Sequence, residues 1–150
     1  MRLKVLFCTP LLLVLLAACA PGSDSAGTAK PTVLHVTRTE ELPGYNFAPL
    51  DVMIQDVTTV QQIYQTAYAL PRLASGMYNC PNGLELIYHL EFLQGDSSVQ
   101  QMRVDPTGCQ LLWIGQNDDV RFANEAFLEL LRKALGIPSL VPPIPGRGQP

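Results

Sequence analysis

The sequence predicts an α+β domain: an antiparallel sheet of about five strands, in the order ββαβββα, with two helices packed on one face. Three observations predict it. The stretch LELIYHLEFL (84–93) alternates with a clean period of two. Two other stretches repeat apolar residues at i, i+3, i+4 and i+7. Short connections rich in glycine, proline and aspartate separate the strand-like segments, as antiparallel neighbours require.

In chain order, VLHVTRT (33–39) alternates, is rich in valine and threonine, and reads as the first strand; LDVMIQ (50–55) reads as the second. Between them ELPGYNFAP (41–49) holds two prolines and a glycine and reads as a loop. Asp56 is placed to cap a helix whose apolar face is Val57, Val60, Ile63, Tyr64, Ala67 and Leu70, and Pro71 stops it. A loop through Ser75 and Gly76 reaches Cys80-Pro81-Asn82-Gly83, a tight turn before the long strand. There Leu84, Leu86, Tyr88, Leu90 and Phe92 face one way and Glu85, Ile87, His89 and Glu91 the other. QGDSS (94–98) turns the chain into VQQMRV (99–104). Asp105-Pro106-Thr107-Gly108 then suits a type I turn before CQLLWIG (109–115), completing a three-stranded meander. Asp118 or Asp119 is expected to cap a last helix with Phe122, Ala126, Phe127, Leu130, Leu131, Ala134 and Leu135 as its apolar stripe, ended by Gly136.

The N-terminus is of a different kind. Arg2 and Lys4 precede an apolar stretch, Val5 to Leu16, interrupted only by Cys8, Thr9 and Pro10. It is shorter than the roughly 20 residues that span a bilayer as a helix, and reads as an export signal over residues 1–18. Leu16-Ala17-Ala18-Cys19 resembles the lipobox of bacterial lipoproteins. The resemblance implies a diacylglycerol on the Cys19 thiol, cleavage before Cys19, and an acyl chain such as palmitate on the new amine, with no other cofactor. Two or more acyl chains hold a protein to a membrane durably, where one does not. The expected location is extracytoplasmic, anchored to a bacterial membrane. The alternative is an ordinary secretory signal with Cys19 incidental. After Cys19, residues 19–31 read as a flexible tether, 32–137 as a single domain, and the Pro-rich 138–150 as an unpacked tail.

Without Arg2 and Lys4, the chain's 10 basic side chains fall to 8 against 13 acidic ones. With no basic patch, nucleic acid is not an expected partner. Of four cysteines, Cys8 leaves with the signal and Cys19 takes the lipid, so Cys80 and Cys109 read as one disulfide in an oxidising compartment. Reduced buried thiols, or half of a metal site, are the alternatives. In a plain meander the first and third strands lie about 9.6 Å apart, too far for a disulfide between them. Cys80, however, sits ahead of its strand, so the loop carrying it could cross the middle strand's end toward Cys109.

Cys80-Pro81, Tyr88-x-Leu90-x-Phe92 and Gly108-Cys109 together resemble a pattern in secreted bacterial domains of no established activity. That resemblance implies nothing about chemistry. On the polar side of the long strand, Glu85, His89 and Glu91 are candidate cation ligands, but Ile87 sits among them, and a solvated face explains them as well. If Ile87 is covered, that face meets a partner. No Gly-x-Ser-x-Gly elbow is present, and Ser75, Ser97, Ser98 and Ser139 have no histidine nearby in sequence. Asn117-Asp118-Asp119 does not match an EF-hand loop, and a helix cap explains it. No catalytic or metal-binding residue is therefore assigned. Tyr45, Phe47, Tyr78 and Trp113 are either core-rim residues or contacts for sugar or protein, and the Tyr45/Phe47 loop is the better candidate for contact. The expected function is a lipid-anchored binding or structural domain for an envelope protein or glycan, with Tyr45 and Phe47, or Glu85, Ile87, His89 and Glu91, as its surface. An envelope hydrolase or metal-dependent enzyme is the alternative and predicts that Glu85, His89 and Glu91 surround a concave pocket, whereas the binding reading predicts a flat or convex patch; a small-ligand carrier, which needs an apolar cavity between sheet and helices, is a third reading.

Overall fold

A computed structural model of the chain describes residues 29–40, 46–74, 76–81, 83–116 and 119–144. The expected signal segment, Cys19, most of the expected tether and Tyr45 lie outside the described residues. Six strands and two helices follow one another as β1 (Val33–Glu40), β2 (Asp51–Ile54), α1 (Val57–Ala69), β3 (Leu86–Gln94), β4 (Ser97–Asp105), β5 (Leu111–Ile114), β6 (Asp119–Phe122) and α2 (Glu125–Leu135). The strands form one sheet in the order β2-β1-β3-β4-β5-β6, antiparallel throughout. The fold is α+β, as expected, with one strand more.

Strict alternation makes β3 the centre of the sheet. Leu86, Tyr88, Leu90 and Phe92 are all buried on its inner face. They share one core with Leu34 and Val36 of β1, Met102 and Val104 of β4, and Leu112 and Ile114 of β5. The helices close that core with Val60, Ile63, Tyr64 and Ala67 from α1 and Phe127, Leu128, Leu131 and Leu135 from α2. Each such side chain withdrawn from water contributes about 1.5–3 kcal/mol before chain entropy is counted. Tyr64 packs edge-on to Phe92 with ring centres 5.1 Å apart, joining helix to sheet. Asp56 caps α1 by accepting from the Thr59 N–H at 2.8 Å, and Pro71 follows its last turn.

The start of the last helix differs from expectation. Asp119 caps nothing: Asp119–Phe122 is the edge strand β6, paired with β5, and Phe122 belongs to it. Asn124 is the cap, its side chain accepting from the Phe127 N–H at 2.9 Å. The reason lies at Arg121, only 5% exposed. Its guanidinium binds Asp119 two residues back and the Tyr68 and Leu70 carbonyls at the end of α1, a geometry available to a strand and not to a helix turn. Outside β6 the chain just past α1 adds a bridge between Arg72 and Arg121 and a bond from the Leu73 N–H to the Val120 carbonyl. Asp118 lies outside the described residues.

Both expected domain ends are more ordered than their composition implies. Pro31 is buried, and the Thr32 N–H donates to the Leu93 carbonyl at 2.8 Å. Leu140, in the Pro-rich segment, is buried, and its carbonyl accepts from the Tyr88 hydroxyl at 2.6 Å. A buried tyrosine hydroxyl requires a partner, and the C-terminal segment supplies it.

Cys80 and Cys109 are disulfide-bonded, with Cα atoms 5.1 Å apart. The loop before β3 crosses the end of β4 to reach the start of β5, avoiding the two-strand gap. Its approach is close: the Leu84 N–H donates to Thr107 Oγ1 at 3.1 Å, and Thr107 in turn binds the Asp105 carboxylate. Gly108, at φ +54°, keeps the turn open where an added Cβ would stand 3.1 Å from the Pro81 carbonyl oxygen.

Candidate functional site

With both helices on one face, the other face of the sheet is left open, and cross-strand register decides which side chains meet there. One row runs across all six strands: Asp51, Thr37, His89, Arg103, Trp113 and Val120. Beside it runs a second, Met53, His35, Glu91 and Gln101. Between and around them lies a trough of about 550 Å³, lined by both histidines, Thr37, Glu91, Gln101, Arg103 and the Gly115-Gln116 turn. This volume falls in the range of small-ligand sites, about 300–1,000 Å³.

Charge is distributed unevenly along the trough. At the β2 end His35 Nε2 meets Asp51 Oδ1 at 2.8 Å, while its Nδ1 is 3.9 Å from Glu91 Oε2. Gln101 donates to the other Glu91 oxygen at 3.3 Å. Hydrogen bonds from Ser98, and then Gln101, hold the Glu91 carboxyl below its ordinary range, so it stays an anion. At the β5 end the Arg103 guanidinium lies over the Trp113 ring, 5.3 Å from its centre. Among the described residues no carboxylate pairs with it. His89 stands between the two ends, with Nε2 2.8 Å from Thr39 Oγ1.

Two chemistries can be weighed against this arrangement. Asp51 and Glu91 engage different nitrogens of His35 and do not converge on one point, and among the described residues no three His, Cys, Asp or Glu side chains form a cation site. Thr39 and His89 make a hydroxyl–imidazole contact, the first half of a nucleophilic pair. Among the described residues no carboxylate orients the second His89 nitrogen, the third member such catalysis uses. What remains is a row of hydrogen-bonding groups facing solvent.

Comparison with protein-family models, curated proteins and solved structures finds no match. Among the described residues no helix is long and apolar enough to cross a membrane.

Of the residues singled out from sequence, His89 and Glu91 line the trough. Glu85 does not: it precedes β3, is exposed, and has φ +47°, which takes it out of the alternation. His89 and Glu91 thus share one concave trough, with Glu85 outside it. Ile87 lies on the open face yet is only 7% exposed, and it stands outside the helix-facing core. Phe47 packs partly buried against that core, its N–H held by the Glu40 carboxylate. Tyr78 is exposed, donates to the Ala74 carbonyl and rests edge-on to Phe122. Trp113, by contrast, faces outward beside Arg103, away from both helices. Reasoning along one strand missed His35, Thr37, Gln101 and Arg103, because they reach the trough from neighbouring strands. The available signal was alternation in VLHVTRT and VQQMRV, which sets His35 and Thr37, and Gln101 and Arg103, on common faces.

Proposed function

We propose that the protein is a lipid-anchored binding domain of a bacterial cell envelope, held at Cys19 on the extracytoplasmic side, with the open sheet face as its contact surface. The observation that carries this is the asymmetry of the sheet. One face is sealed by both helices, and the other is a polar trough ordered by cross-strand register. The lipobox-like Leu16-Ala17-Ala18-Cys19 supports the anchor, and the Cys80–Cys109 bond supports an oxidising compartment. Anchoring raises the local concentration of the domain beside envelope partners, so a useful complex needs no high intrinsic affinity. The partner is an envelope protein or glycan.

The test is photo-crosslinking in living cells from Gln116 at the trough rim and, separately, from Glu125 on α2. A recurring envelope partner captured from Gln116, and lost when Arg103 and Trp113 are replaced, supports the reading. A partner captured from Glu125 and indifferent to those replacements moves the contact surface to the helical face.

A further inference from the structure

We infer that the trough recognises a saccharide bearing a carboxylate, with Arg103 as the group that selects the acid. This deepens the reading of the open face as the contact surface and rests on it. The lining excludes two simpler occupants. An apolar molecule would strip water from Thr37, Glu91, Gln101 and Gln116 and replace none of its hydrogen bonds, a loss for each group. A compact anion filling the trough would meet the ionised Glu91 on β3, the strand beside that of Arg103. Sugar hydroxyls both donate and accept, so one chain of them satisfies the Glu91 carboxylate, the Gln101 and Gln116 amides, the Thr37 hydroxyl and the His89 ring.

The carboxylate follows from Arg103, the one arginine or lysine among the described residues lining the trough. Every other charged group along the trough has a partner: Asp51 and Glu91 have His35, and Glu91 also has Gln101. Arg103 is exposed and meets no carboxylate among the described residues. The Trp113 ring holds its planar fork on the open face, where it presents paired N–H donors that match a carboxylate. Acid at the β5 side and hydroxyls toward β2 complement the charges along the sheet, with Arg103 on β4 and the carboxylates of Glu91 and Asp51 on β3 and β2.

The experiment is calorimetric titration of the full chain, purified in detergent, with trigalacturonic acid and with its carboxyl-reduced counterpart, a galactose trisaccharide. The acid should bind about tenfold or more tightly than the neutral sugar, the weight of one charge-assisted hydrogen bond. Arg103→Gln, on an exposed position, should erase that preference while leaving the melting temperature unchanged. Equal affinity for the two sugars, or a preference that survives Arg103→Gln, overturns acid selection. No binding of either sugar overturns the saccharide class. In both cases a partner crosslinked from Gln116 would leave the open face standing as the contact surface, and its absence there would remove that reading too.

Discussion

Arg121 is the side chain whose loss should cost the domain most for its size. It is 5% exposed, forks onto Asp119 through Nε at 3.1 Å and Nη2 at 2.9 Å, and donates Nη1 to the Leu70 carbonyl at 3.0 Å and to the Tyr68 carbonyl. The last turn of α1 has no basic residue of its own, so Arg121 supplies the positive charge its C-terminus favours. Arg121→Ala strands the buried Leu70 carbonyl and the partly buried Tyr68 carbonyl, and leaves Asp119 with Arg72, 3.3 Å away and half exposed. Breaking a buried charged network in this way costs about 3–4 kcal/mol, a large share of the 5–15 kcal/mol typical of whole domains. With a urea slope of about 1.5 kcal/mol per molar for a domain of this size, the unfolding midpoint should fall by about 2 M. Arg121→Lys, which keeps the charge and loses the fork, should lie between wild type and Arg121→Ala. Asp119→Asn should cost less alone, and the double variant less than the two single losses added, since both act on one network. A fall below about 1 kcal/mol for Arg121→Ala, or strict additivity with Asp119→Asn, would refute the network.

Other perturbations test other parts of the molecule. Replacing Cys80 and Cys109 together by serine opens a crosslink spanning 29 residues, and urea unfolding should show a loss of about 3.6 kcal/mol by the chain-entropy argument. Gly83→Ala puts a Cβ 2.7 Å from Thr107 Oγ1; breaking the Leu84–Thr107 bond should cost about 1–2 kcal/mol, read as a lowered melting temperature. The Glu129 carboxyl, hydrogen-bonded by Arg132 and then Lys133, is drawn from 4.5 down to about 2, and Asp56 and Glu91 move the same way. With folded values below unfolded ones, this stabilisation is complete above about pH 4.5 and is lost as the pH falls toward 2. Urea midpoints across that window should drop, and drop less in high salt because the Glu129 side chain is reached by solvent; flat midpoints would contradict the pairing. Cys19→Ala should move the protein from the membrane to the soluble fraction with its melting temperature intact, and retention of the variant on membranes would sink the anchor.

Local pattern made much of the fold legible. The period of two in LELIYHLEFL set which residues of β3 face the helices, because alternation in a strand is a property of the backbone itself. Asp56, Pro71 and Gly136 bounded helices by equally local rules. The region around Asp119 was misread because an aspartate ahead of an apolar stretch is as good a cap as Asn124. What decides between them is Arg121 reaching carbonyls 51 and 53 residues earlier in the chain. Leu140 was misread for the same reason: a Pro-rich segment looks unpacked until the Tyr88 hydroxyl, 52 residues away, needs an acceptor.

The trough divides along the same line. By itself the sequence determined the α+β class, the inner face of the central strand, the lipobox-like start and Cys80 and Cys109 as the candidate pair. Only the tertiary structure decided that Glu85 stands apart from His89 and Glu91, that His35 joins them from β1, and that Arg103 meets Trp113 across β4 and β5. Periodicity within a segment follows from bonds the chain carries everywhere. Which segments lie side by side, and in what register, follows from burying one shared core, and no single segment contains that information.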